Sequence, residues 1–146
     1  MKKIVAFLLA VVTLYACTET EGEKIVLPTS KITGEYVVNL ELTQPFEASA
    51  EETIRVYNTA NSTDSLWVED EAFYDSKVRV KWDGNTKFFV EEGNDIAHNE
   101  IVTISGEIFP ANDSIHVEWR YHQGTGDPAD DFVVVANGVL YNGLTN

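Results

Sequence analysis

The sequence predicts an all-β protein, a single eight-stranded antiparallel up-and-down barrel. Three observations carry that expectation. Between Ile54 and Trp82, three runs of β-branched and aromatic residues are separated by Asn, Ser, Thr and Asp, the pattern of consecutive antiparallel strands joined by tight turns. In the last of these runs Val78, Val80 and Trp82 alternate with Lys77, Arg79 and Lys81, so one face can be buried while the other stays wet. Runs of this kind then follow one another along the chain with mostly short connections, which favours a meander over a Greek-key sandwich with long cross-overs.

Each strand is justified by its own pattern. The first is expected over Ile32 to Thr43, where Tyr36, Val38, Leu40 and Leu42 alternate with Glu35, Val37, Asn39 and Glu41. A loop from Gln44 to Glu52 follows, with a turn of helix through Ala48 to Glu51. The second strand is placed at Thr53 to Ala60, the third at Ser65 to Glu69 and the fourth at Ser76 to Asp83. Asp83-Gly84-Asn85 is a hairpin signal, since Gly and Asn tolerate positive φ. It delivers a fifth strand over Thr86 to Glu91. A polar loop through Gly93, Asn94, Asp95 and Asn99 leads to the sixth, Ile101 to Phe109, and Pro110-Ala111-Asn112-Asp113 turns the chain again. The seventh strand, Ser114 to His122, sets Ile115, Val117, Trp119 and Tyr121 against His116, Glu118, Arg120 and His122. The eighth runs from Phe132 to Tyr141 and is apolar on both faces, so its outer face needs cover from Ile25 to Leu27 or from another copy of the chain.

The 146 residues suffice for one domain with a real core. The chain divides into a signal peptide, Met1 to Ala16; a lipidated cysteine with an acidic tether, Cys17 to Lys31; and the barrel from Ile32 to Asn146. A basic start, a short apolar run from Ile4 to Leu14 and a small residue before the cut have the form of a secretory signal, too short to span a bilayer. The single cysteine stands at its end, which rules out a disulfide within one chain. Leu14-Tyr15-Ala16-Cys17 resembles the bacterial lipoprotein box, in which the cysteine is acylated, as by palmitate, and becomes the first mature residue. Dual acylation gives stable attachment, so the expected address is the cell outer membrane, on its periplasmic face or at the cell surface. The acidic run Thr18 to Glu23 reads as a solvated tether and is similar to the surface-export signal of Bacteroidetes lipoproteins.

The formal net charge is −14. Removing the leader takes Lys2 and Lys3 with it and leaves eight basic residues against 24 acidic ones, a net −16. Such a charge disfavours nucleic acid and peripheral binding to anionic lipid surfaces. The membrane is therefore reached through the acyl anchor at Cys17.

No catalytic set is expected. Ser114, His116 and Glu118 have the residue types of a triad, yet alternate residues of one strand stand nearly 7 Å apart, too far for hydrogen-bond contact. His98, His116 and His122 have no metal-ligand spacing. Asp127, Asp130 and Asp131 lack an ordered calcium pattern. Neither a metal nor a cofactor is expected. What remains is the apolar face itself. Tyr36, Val38, Leu40, Val56, Val80, Trp82, Phe88, Ile104, Val117, Trp119 and Tyr121 point inward if the strands keep register, and such a wall either holds a hydrophobic ligand or fills the barrel completely. Phe73 and Tyr74, in the loop after Glu69, are candidates for a gate at the barrel mouth.

At Tyr57-Asn58-Thr59-Ala60-Asn61-Ser62, Asp64-Ser65-Leu66-Trp67-Val68-Glu69-Asp70 and Ser76-Lys77-Val78-Arg79-Val80-Lys81 the chain resembles the Bacteroidetes lipoproteins grouped as lipid-binding putative hydrolases. Gly34-Glu35-Tyr36-Val37-Val38 and Tyr141-Asn142-Gly143 are similar as well. The resemblance implies a lipocalin-like, calycin-type β-barrel on a lipid anchor, and a hydrolase activity for which no catalytic motif can be placed on these residues. The expected function is binding of a small hydrophobic or lipid-like ligand, with Tyr36, Val38, Leu40, Val80, Trp82, Phe88, Ile104, Val117, Trp119 and Tyr121 as its wall. The alternatives are an esterase-like hydrolase acting on lipid-like substrates and a non-catalytic component of a surface complex.

Overall fold

The computed structural model describes residues 28–44, 47–71 and 73–142. The expected signal peptide, Cys17 and the Ile25 to Leu27 cover lie outside the described residues. Eight antiparallel strands follow in chain order: β1 (Gly34–Gln44), β2 (Ala48–Asn58), β3 (Ser65–Asp70), β4 (Lys77–Trp82), β5 (Lys87–Asp95), β6 (Glu100–Phe109), β7 (Ser114–Tyr121) and β8 (Phe132–Leu140). Each pairs with its neighbour in sequence, and β8 returns to β1, so the sheet closes into a barrel. Closure runs from Tyr36 opposite Leu140 to Gln44 opposite Val133, with a bulge between Leu42 and Gln44. It leaves no edge strand open to pair with another chain.

The expected alternation sets which side chains go in. Tyr36, Val38, Leu40, Ile54, Val56, Leu66, Val68, Val80, Phe88, Ile104, Val117 and Trp119 are each 2 % exposed or less. Walls of a water-sized void would carry accessible surface, so the middle of the barrel is packed by its own side chains, at the density of a protein interior. Gly106 shows how close the packing is: a Cβ there would lie 2.2 Å from Cζ of Phe88.

Two stretches differ from the sequence reading. Ala48 to Glu51 is not helical; β2 begins at Ala48, and Leu42 to Asn39 on β1 pair residue for residue with Ala48 to Glu51. The long partner strand supplies ladder hydrogen bonds that override the local helix preference of Ala and Glu. The polar run Gly93, Asn94 and Asp95 is not a loop but the end of β5, reached through a register shift between Val90 and Gly93. A Cβ at Gly93 would meet Val78 and Val90 side chains at 2.8 Å, which is why glycine serves at this bulge.

The two ends of the barrel are unlike. At one end Pro28–Lys31 form a 3-10 turn, the last four residues of the expected tether. Thr29 and Ile32 are buried there, the Tyr36 hydroxyl donates to the Ile32 carbonyl at 3.1 Å, and the Thr29 hydroxyl bonds to the Asn58 side chain. This plug seals that end. The other end carries the β1–β2, β3–β4, β5–β6 and β7–β8 connections and is the mouth.

Candidate ligand-binding mouth

Three buried carboxylates build the mouth. Asp70, at the end of β3, is 5 % exposed; its Oδ1 accepts from the Phe73 amide at 3.0 Å and its Oδ2 from the Tyr74 amide at 2.9 Å. A short acidic side chain accepting amides a few residues on is the usual fastening of a tight turn. Here it holds both rings of the β3–β4 connection over the barrel. Asp95, at the end of β5, is fully buried. It accepts from the amides of Lys77 and Ala97 and from Nδ1 of His98, each at 3.0 Å, and three donors to one carboxylate compensate its burial.

The His98 ring so fixed stacks on Tyr74, with centroids 4.3 Å apart, and Tyr74 meets Tyr121 edge-on at 5.0 Å. The Tyr74 hydroxyl donates to Glu100 at 3.1 Å. A fully buried carboxylate therefore positions an aromatic rim through an imidazole. On the far side, Asp131 is buried and fastens the β7–β8 connection: it lies 3.2 Å from His122 Nδ1 and 3.8 Å from the Arg120 guanidinium, and accepts from the Gln123 amide at 3.4 Å.

Between these supports lies a cavity of about 200 Å³, lined by Leu42, Phe73, Tyr74, Tyr121, Gln123, Phe132 and Val134. Gln123 brings a polar side chain; the other six bring aliphatic or aromatic ones, two ending in phenol hydroxyls. Burial pushes the Tyr121 phenol well above its ordinary value; the Ser76 hydroxyl opposes the rise, and the carboxylates Asp95 and Asp70 add to it.

Of the ten residues expected as a ligand wall, Tyr121 lines this cavity. Tyr36, Val38, Leu40, Val80, Phe88, Ile104, Val117 and Trp119 are in the packed middle, and Trp82 is half-buried at the sealed end, its indole donating to the Asn85 carbonyl. The gate pair Phe73 and Tyr74 does stand at the mouth. Leu42, Gln123, Phe132 and Val134 were not singled out by sequence. Leu42, Phe132 and Val134 continue the inward alternation of β1 and β8, so counting each alternation to its strand end would have found them; no pattern marks Gln123.

Ser114, His116, Glu118 and Asp127 each have partners close by. Ser114 donates to Asn112 at 2.9 Å, His116 pairs with Asn137 at 2.7 Å, and Glu118 lies 3.6 Å from Arg120. Asp127 caps the short 3-10 turn Pro128–Asp130 by accepting from the Ala129 amide. Among the described residues, no group of three or more His, Cys, Asp or Glu side chains is placed to hold a metal ion. A hydroxyl–imidazole–carboxylate line does run through Thr103, His122 and Asp131, at 3.0 and 3.2 Å. The Thr103 hydroxyl donates to the Glu91 carbonyl at 2.6 Å, so its proton is committed elsewhere and the line ties β6 to the β7–β8 connection.

A family model described as "lipid-binding putative hydrolase" matches residues 21–143. The chain belongs to this family. No curated protein and no solved structure matches it. A lipid-binding role fits both the family and the barrel.

Proposed function

We propose that the protein is a lipid-anchored lipoprotein of the cell outer membrane that binds the tail of a small hydrophobic or lipid-like molecule at the barrel mouth. The observation that carries this reading is the cavity of about 200 Å³ with its aromatic and aliphatic lining. An apolar cavity of roughly 150 Å³ takes up a benzene ring, whereas sites enclosing a whole drug-sized ligand run to about 300–1,000 Å³. The mouth therefore suits one ring or a short length of chain, with the remainder of the ligand outside. The packed middle acts as its floor, and Tyr121 is the expected wall residue that touches the ligand. The anchor at Cys17 and the outer-membrane address rest on the leader and its lipoprotein-box resemblance.

The barrel closes within Gly34–Leu140, so residues 18–146 retain every strand of it and are the length of chain to test in solution. The test is titration of residues 18–146 with a hydrophobic fluorophore, alongside extraction of material carried from the host. Binding that falls at least fivefold in Val134→Trp, which fills the cavity, supports the reading. Binding unaffected by Val134→Trp, or no binding at all, overturns it.

A further inference from the structure

The connections that ring the mouth are one-sided in charge. They carry Glu47, Glu71, Asp75, Asp127, Asp130 and Asp131, and contain no lysine or arginine. Asp70, Asp95 and Glu100 add three more carboxylates at the strand ends. The adjoining cations are already paired: Lys77 lies 3.7 Å from Glu69, Arg120 lies 3.6 Å from Glu118 and 3.8 Å from Asp131, and Arg55 pairs with Glu35 and with the rim's own Glu71. At the sealed end the three hairpin connections hold one acid each, Asp64, Asp83 and Asp113. The connections of the mouth, which holds the cavity lined by Phe73, Phe132 and Val134, thus carry six acids against three at the sealed end.

Cavity size makes this charge decisive. A ligand whose tail alone fits leaves its headgroup in the rim, where Glu100 accepts from Tyr74 and the Asp130 side chain is open to solvent. A ring of like charge raises the local concentration of cations and repels anions, and aromatic side chains add a favourable term for an ammonium group. Taking the mouth as the ligand site of the proposed function, we propose that it selects a single-chain amphiphile with a cationic headgroup and discriminates against anionic ones such as free fatty acids. The recognised chemistry is an alkylammonium: a short apolar tail against Phe73, Phe132 and Val134, and a positive head among carboxylates. A carboxylate head would enter a rim with no lysine or arginine in its connections to pair it.

The experiment compares three probes of equal chain length against residues 18–146 at low salt: octyltrimethylammonium, octyl glucoside and octanoate, each below its micelle concentration, by calorimetry. The expected order is the cation tightest and the anion weakest, with at least tenfold between them, narrowing in half-molar salt as screening shortens the reach of the rim charges. Asp75→Asn with Asp130→Asn, two exposed rim carboxylates that do not line the cavity, should shrink the cation's advantage at least threefold while leaving the glucoside unchanged. Val134→Trp should weaken all three. Octanoate binding as tightly as the ammonium probe overturns the charge selection and leaves the carrier reading standing. Failure of all three overturns the carrier reading itself. An ammonium probe indifferent to Val134→Trp sits on the acidic surface outside the cavity, and that result too overturns the inference.

Discussion

Asp95 sits where no carboxylate would be placed for its own sake, fully buried in an apolar barrel, and its three donors explain why it is there. Removing it strands two amides and releases His98 from beneath Tyr74. Asp95→Ala is expected to cost about 3 kcal/mol in urea unfolding, the order of cost for leaving buried donors unpaired, and to weaken probe binding at the mouth. Two tyrosines make a second prediction at this scale. Burial, with Asp113 adding, pushes the Tyr36 phenol up to about 12 from an ordinary 10, and Tyr121 is raised further. A proton held more tightly in the folded state than in the unfolded one makes stability fall as pH rises between the two values. Unfolding free energy should hold steady up to about pH 9 and decline between about pH 10 and 12, with a shallower decline in Tyr36→Phe. Little of this was legible in sequence. Asp70 stands in an acidic run and Asp95 in a polar one, and nothing local separates a solvated carboxylate from a buried one whose donors lie on other strands.

At the scale of elements, the pattern that could be read was the period of two. The strands with clean alternation, β3, β4, β6 and β7, were expected within a residue or two of their bounds, because one buried face fixes their register. The misreadings fell where the pattern is set by a partner instead. Ala48 to Glu51 is strand because β1 lies beside it, and β5 runs past Gly93 because a bulge lets it. Two glycines test how rigid this assembly is. A Cβ at Gly106 would press on the Phe88 ring, whereas at Gly138 it would lie 2.0 Å from the Val37 carbonyl oxygen, in the seam between β8 and β1. A ring can tilt within the core; a paired backbone cannot without unzipping. Gly106→Ala should cost about 1–3 kcal/mol, the usual range for overpacking, and Gly138→Ala more, read from denaturant midpoints and from faster amide exchange along β8.

For the whole molecule, the sequence foretold a barrel but left open whether it was hollow, since alternation tells which residues face inward and not how far apart they come to rest. The packing answers with a filled middle and a shallow mouth. Charge is a property of this scale as well. A net −14 makes the compact state repel itself. Raising salt from about 20 mM to about 200 mM shortens the screening length from roughly 20 Å to under 10 Å, and the thermal midpoint at neutral pH should rise by a few degrees. A midpoint that falls would mean that surface ion pairs such as Arg55 with Glu35 and Glu71 outweigh the repulsion.

The plug of Pro28–Lys31 fixes a direction. The polypeptide enters the barrel at its stoppered base, while the cavity opens at the opposite rim, a strand's length of roughly 25 Å away. With the anchor proposed at Cys17, the attachment would lie on the side of the base, and the opening at the far rim. On that proposed anchoring, a ligand would be received at the rim remote from the leash, from the surrounding fluid or from a facing surface.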